Sequence, residues 1–200
     1  LHYYVPRNDL IQKGLLEFMG ENPDKGGRYF TVWAPRQCGK TWLMRELYFK
    51  IKEDSRFDLM VINLENFKEE KNVSTIYTFI SNKIYEGLKK PILGKVETGE
   101  QFQEIFSNKV LDKPLILILD EFDALGEHII SSIVSSFRSI YNSRQYEADK
   151  ITGKKSYLLH SLALVGVRSV LGIENETGSP FNIQGSLPIP NLTIDEVRAM

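Results

Sequence analysis

Ala34-Pro35-Arg36-Gln37-Cys38-Gly39-Lys40-Thr41 departs at a single position, Ala34, from the phosphate-binding loop G-x-x-x-x-G-K-[S/T]. Tyr29-Phe30-Thr31-Val32-Trp33, rich in aromatic and β-branched side chains, leads into it as a strand. Thr41-Trp42-Leu43-Met44-Arg45-Glu46-Leu47-Tyr48-Phe49 leaves it with apolar residues at helical spacing. Strand, loop and helix in that order supply the context the motif requires. A loop of this kind opens a helix so that backbone N–H groups and the positive end of the helix dipole face phosphate oxygens. Pro35, Arg36, Gln37, Cys38 and Gly39 form the cradle, with Gly39 where backbone and phosphate come closest. Lys40 reaches the terminal phosphates as a point charge, and the Thr41 hydroxyl takes one position on Mg2+. Pro35 biases Ala34 toward extended geometry, which removes the need for glycine there.

Working outward, strands and helices alternate. Leu10–Met19 has helical periodicity and ends in the turn-rich run Gly20–Gly27. A second strand is predicted over Phe57–Leu64, and helical spacing over Val73–Leu88 and again near Glu100–Val110. Leu115-Ile116-Leu117-Ile118-Leu119-Asp120 is an unbroken apolar run ending in a carboxylate, the pattern of a central strand covered on both faces. A helix over Ile129–Ile140 leads into a polar surface excursion, 142–156. Leu159–Val167 and the short Ile183–Pro188 complete five strands, and the alternation predicts a parallel α/β sheet with helices on both faces.

The third strand ends in Asp120-Glu121, where a Walker B sequence would follow the loop. Asp120 is expected to hold Mg2+ through water, and Glu121 to polarise the water that attacks the terminal phosphate. Asn63 and Glu65, at the end of the second strand, approach the same crevice, and Glu65 is a reserve catalytic carboxylate. The fourth strand runs into Arg168, whose guanidinium can sense the terminal phosphate. Cys38 has no catalytic partner, and His2, His128 and His160 lack metal-ligand spacing. Trp33 and Trp42 flank the loop, and packing is the simpler role for each.

The 200 residues, 42% of them apolar, suffice for one sizeable core. A formal net charge of -1 gives no electrostatic reason to expect nucleic acid or an anionic membrane. A single cysteine rules out an internal disulfide framework and suits a reducing, cytoplasmic setting. No apolar run approaches the roughly 20 residues of a membrane span. Thr193-x-x-Glu196 forms the capping box of a helix just beginning, so the chain is expected to continue.

With these motifs in place, the chain resembles bacterial and archaeal AAA-like P-loop ATPases of the AAA+ and STAND group, over nearly its whole length. Ala34–Thr41 is similar to their A/G-P-R-x-x-G-K-T loop, and Gly166-Val167-Arg168-Ser169 to their sensor strand. Tyr4–Leu10 resembles an upstream segment, hydrophobic-hydrophobic-Gly-Arg-Glu, that lies against adenine in relatives. Pro6 stands here for glycine and Asn8 for glutamate. The resemblance implies adenine contacts by Val5 and Arg7, a contribution from Trp42 to the nucleotide site, and ATP or ADP with Mg2+ as ligands. It further implies a three-layer αβα sandwich with strand order 5-1-4-3-2, spanning residues 1–192, with 1–27 preceding the phosphate loop. A helical lid would begin at 193–200 and be cut short. A second copy of the chain or a partner protein would supply a further arginine. The expected activity is Mg-dependent ATP hydrolysis that drives a conformational change, with Glu121, Lys40 and Arg168 catalytic. The competing expectation is a nucleotide-gated signalling or scaffold module with little turnover. A small-molecule kinase is a third, disfavoured by the Asp120-Glu121 pair.

Overall fold

The structure, a computed structural model, describes residues 7–35, 38–92, 94–166 and 185–194. Val5, Arg36, Gln37, Arg168, the chain after Ile194 and the first part of the predicted fifth strand lie outside the described residues.

Helix α1 (Asn8–Met19) precedes β1 (Tyr29–Trp33), and the phosphate-type loop joins β1 to α2 (Lys40–Lys52). Then come β2 (Asp58–Asn63), α3 (Val73–Gly87), α4 (Gly99–Glu104), β3 (Leu115–Asp120), α5 (Glu127–Tyr146), β4 (Leu159–Gly166) and β5 (Ser186–Pro188). The five strands pair in the order β2-β3-β4-β1-β5, every pairing parallel. This is the expected order read from the other edge, with β4 between the strand that leads into the loop and the strand that ends in Asp120.

Alternation along the strands explains the layers. Leu115, Leu117 and Leu119 face a core shared with α3, α4 and α5, whereas Ile116 and Ile118 face one shared with α1 and α2. Both faces of β3 are therefore covered, which is why its apolar run is unbroken. Between Leu115↔Leu159 and Ile116↔Ser161 the register with β4 slips by one, so His160 is the extra residue of a bulge. Helix starts follow local chemistry. Asn72 accepts the Ser74 N–H (3.0 Å) ahead of α3, and Thr98 with Gln101 forms a capping box ahead of α4.

Two expectations need correction. The helix predicted near Glu100–Val110 stops at Glu104, because the chain turns there to deliver Phe106 and Leu111 to the core. The polar segment 142–156 is only partly a surface excursion: α5 continues through Tyr146, and Arg144, Thr152 and Lys155 are buried. Arg144 donates to Thr152 Oγ1 (2.9 Å) and to the Tyr157 carbonyl, while Lys155 Nζ donates to the Arg144 carbonyl (3.0 Å). Carbonyl and hydroxyl oxygens thus replace water around cations that the sequence marks as exposed.

Thr152 Oγ1 also meets His160 Nδ1 (3.1 Å), and the imidazole packs against Phe57, ring centres 4.4 Å apart. Burial, reinforced by the charge of Arg144, pushes the His160 pKa down from 6.5 to about 3. His160 is therefore neutral in the folded chain and protonates on unfolding below its ordinary pKa. Its contribution is fully present above pH 6.5 and is lost as pH falls toward 3, at about 1.4 kcal/mol per pH unit. Between pH 7 and pH 5 that amounts to about 2 kcal/mol of unfolding free energy. Urea unfolding at both pH values should show that loss in the wild type and its absence in His160→Gln. Parallel pH dependences in the two proteins would contradict the assignment.

Candidate functional site

The site lies at the C-terminal ends of β1, β3 and β4, the edge where open α/β sheets bind ligands. Ala34 leaves β1 fully buried, its N–H donating to the Gly166 carbonyl (3.3 Å). Pro35 is exposed, and Cys38 is buried in the core shared with α1 and α2, which accounts for it as packing. Gly39 adopts φ 84, ψ 12, a left-handed conformation that glycine takes without steric cost. Among the described residues nothing lies within 4 Å of where a Cβ at position 39 would stand.

Helix α2 begins at Lys40 with no side-chain cap and no acidic residue in its first turn. The Gly39 carbonyl accepts the Leu43 N–H (3.0 Å) as the first bond of the helix, whose positive dipole end faces the loop. Thr41 and Trp42 lie on the exposed side of that turn. The Trp42 ring is covered by the Arg45 guanidinium, 5.4 Å from the ring centre.

Lys40 points across to the end of β3. Its Nζ lies 3.3 Å from Glu121 Oε1 and 3.9 Å from Asp120 Oδ1. Asp120 Oδ1 in turn accepts the Glu121 N–H (3.0 Å). Partial burial raises the Asp120 pKa and Lys40 opposes the rise, while Glu121 and Asp123 add to it. Glu121 sits at φ 54, ψ 38, left-handed for a residue with a side chain, and such strain collects at functional sites. Its carbonyl accepts the Ala124 N–H (3.0 Å), which starts the 3₁₀ turn Phe122–Ala124.

The structure thus brings Lys40, Asp120 and Glu121 together. Glu65 stands apart: Asn63 Oδ1 accepts its N–H (2.8 Å), and its carboxylate pairs with Lys68 (3.6 Å), not with Lys40. Asn63 itself is aligned with Asp120 across the β2–β3 ladder. The Arg7 guanidinium donates to the carbonyls of Pro190 (2.8 Å) and Asn191 (2.9 Å), tying the start of α1 to the chain leaving β5. Sequence reading passed over the contact of Asp123 with Gly166. A third acid after Asp120-Glu121 and a glycine two residues before Arg168 were its only signals.

Among the described residues no group of three or more His, Cys, Asp or Glu side chains is placed to hold a metal ion. No described helix is long and apolar enough to cross a membrane.

A mainly parallel five-stranded sheet in this order, flanked by helices, is an α/β fold of the P-loop nucleoside triphosphatase type. No protein-family model matches the chain, and no curated protein sequence matches it. Solved structures do. Cdc6p from Pyrobaculum aerophilum matches with a TM-score of 0.64 at 18% identity, over 98% of this chain and 48% of that one. Orc1 from Aeropyrum pernix, solved in complex with DNA, matches with a TM-score of 0.63 at 15% identity, over 98% of this chain and 48% of that one. ORC2 from Aeropyrum pernix, solved as ADPNP-ADP complexes, gives 0.62 at 15% identity, over 100% and 52%. The likeness is one of fold, and the chain spans about half the length of each of these proteins.

Proposed function

We propose that this chain is the ATP-binding core of an AAA+/STAND-like ATPase, in which Mg-dependent ATP binding and hydrolysis drive a conformational change. The observation that carries the reading is the convergence of Lys40, at the head of an uncapped helix, on Glu121 and Asp120. The left-handed Gly39 and the positive end of α2 that follows it fit a phosphate chain. Exposed Thr41 and partly exposed Asp120 fit a hydrated Mg2+, which characteristically uses one or two protein oxygens together with phosphate oxygens. Bound there, Mg2+ would neutralise charge on the phosphoryl oxygens.

The remaining chemistry belongs to the chain. Lys40 exchanges its ion pair with Glu121 for a phosphate oxygen. Glu121, so released, orients a water and takes its proton as the water oxygen bonds to the terminal phosphorus and the bond to the ADP oxygen breaks. Arg168, by its place after β4, is assigned to sensing that phosphate. Val5, Arg7 and Trp42 are assigned to the base and sugar side, with Arg7 acting through the segment it holds at Pro190 and Asn191. A second copy or a partner protein, with ATP, is the proposed set of partners.

The second reading, a nucleotide-gated module with little turnover, is favoured by the Lys40–Glu121 pair itself, a stable resting contact that nucleotide alone could open. Steady-state phosphate release measured beside ATP and ADP affinity decides between them. Tight binding with Mg-dependent release is the expected result for the ATPase. Tight binding without release would leave the gated module standing, and absence of binding would defeat both.

A further inference from the structure

Gly166 closes β4 where three parts of the site meet. Its carbonyl accepts the Ala34 N–H (3.3 Å) at the head of the phosphate loop. Its Cα face is covered by Asp123, from the turn that carries Glu121. A Cβ built at position 166 would stand 2.6 Å from Asp123 Oδ1, 2.8 Å from its Cγ and 3.1 Å from its Cβ. Such an approach is open only to glycine while the carboxylate keeps its seat. Two residues further along the sequence comes Arg168.

A carboxylate that merely faced solvent after a strand would have no need of a bare Cα to rest on. Asp123 is only partly exposed, and its turn packs directly against β4. We propose that Asp123 is a positioning residue: seated on Gly166, it holds the exit of β4 against the Asp120-Glu121 turn, so that sensor strand, acidic pair and loop head are set as one unit. Asp123 acts through its neighbours and is assigned no contact with nucleotide. The proposal rests on the ATPase reading above for its catalytic consequence, but the mechanical coupling exists without nucleotide.

Gly166→Ala tests it: the carboxylate must rotate out of its seat, and the Asp123 Cβ, 3.1 Å from the new methyl, must give by a few tenths of an ångström, a shift the fold can absorb. Turnover at saturating ATP and Mg2+ should fall roughly ten- to a hundred-fold, the range expected when reacting groups are misplaced by about an ångström. ATP affinity should stay within about three-fold, because Lys40 and the α2 N-terminus are untouched. Asp123→Ala should show a similar loss. The double variant should be no worse than either single one, since both remove the same seat. Asp123→Asn, which keeps the shape, should recover most of the turnover. Wild-type turnover in Gly166→Ala, additive losses in the double variant, or a loss in Asp123→Asn equal to that in Asp123→Ala would each overturn the proposal.

Amide hydrogen exchange on the nucleotide-free protein separates this from failure of the ATPase reading. The Ala34 and Ala124 N–H groups should exchange faster together, by about ten-fold or more, in Gly166→Ala. A wild-type protein without turnover but with that coupled exchange would defeat the function and keep the seat. Intact turnover in the wild type with unchanged exchange in the variant would defeat the seat alone.

Discussion

Lys40→Ala is expected to remove ATP binding, with at least a hundred-fold loss of affinity, or about 2.7 kcal/mol. Two effects add. The variant loses a charge-assisted hydrogen bond to phosphate, worth about 1.5–3 kcal/mol. It also leaves Asp120 and Glu121 without the ammonium that now lies 3.9 and 3.3 Å from them, so an arriving phosphate meets two uncompensated carboxylates. The fold should survive, because the Lys40 ammonium sits at a helix start and none of the core depends on it. Lys40→Arg should restore binding only in part, since a planar fork does not reproduce a compact point charge in the loop. Isothermal titration with ATP and Mg2+, alongside circular dichroism to establish folding, measures both. Binding by a folded Lys40→Ala within about three-fold of the wild type would remove the loop from the phosphate site.

The residues that make this expectation are those the sequence displays most openly. The loop and the Asp120-Glu121 pair are short, local patterns whose chemistry requires particular residue types at fixed spacing, and each ends a strand that its own apolar run identifies. The bounds of β1 and the existence of all five strands follow from the same periodicity. Strand order does not, because the parallel crossovers are compatible with several arrangements; it came with the family resemblance. What periodicity could not reveal was contact between distant polar residues. Arg144 and Lys155 look like surface charges in a polar stretch, yet carbonyls of Tyr157 and Arg144, brought round by the turn between them, solvate them in the interior. His160 reads as one more strand residue, and only the bulge in β4 sets it beneath Thr152. Asp123 and Gly166 are separated by a whole helix and a strand, so their fit is a property of packing alone.

The choice of catalytic carboxylate follows from the same geometry, and Glu121→Gln puts it to the test. Glu65 is turned toward Lys68, whereas Glu121 is held in a left-handed conformation that directs its carboxylate to Lys40. A non-glycine residue in that region costs about 1 kcal/mol, a cost this turn bears while the Glu121 carboxylate faces Lys40. Glutamine keeps the size and the backbone requirement but cannot take a proton from water. Phosphate release should therefore fall by about a hundred- to ten-thousand-fold, the range spanned by general-base contributions. ATP affinity should hold or rise by a few-fold, because Lys40 no longer has to give up an ion pair to receive phosphate. Glu65→Gln, measured beside it, should turn over as the wild type does. The two variants together separate binding from chemistry. Equal turnover by Glu121→Gln and wild type would refute the assigned base, and a deficit appearing only in Glu65→Gln would move that role to the end of β2. A loss of affinity as large as the loss of turnover in Glu121→Gln would show instead that the Lys40–Glu121 pair organises the loop for nucleotide, and that its opening is not the step that arms the water.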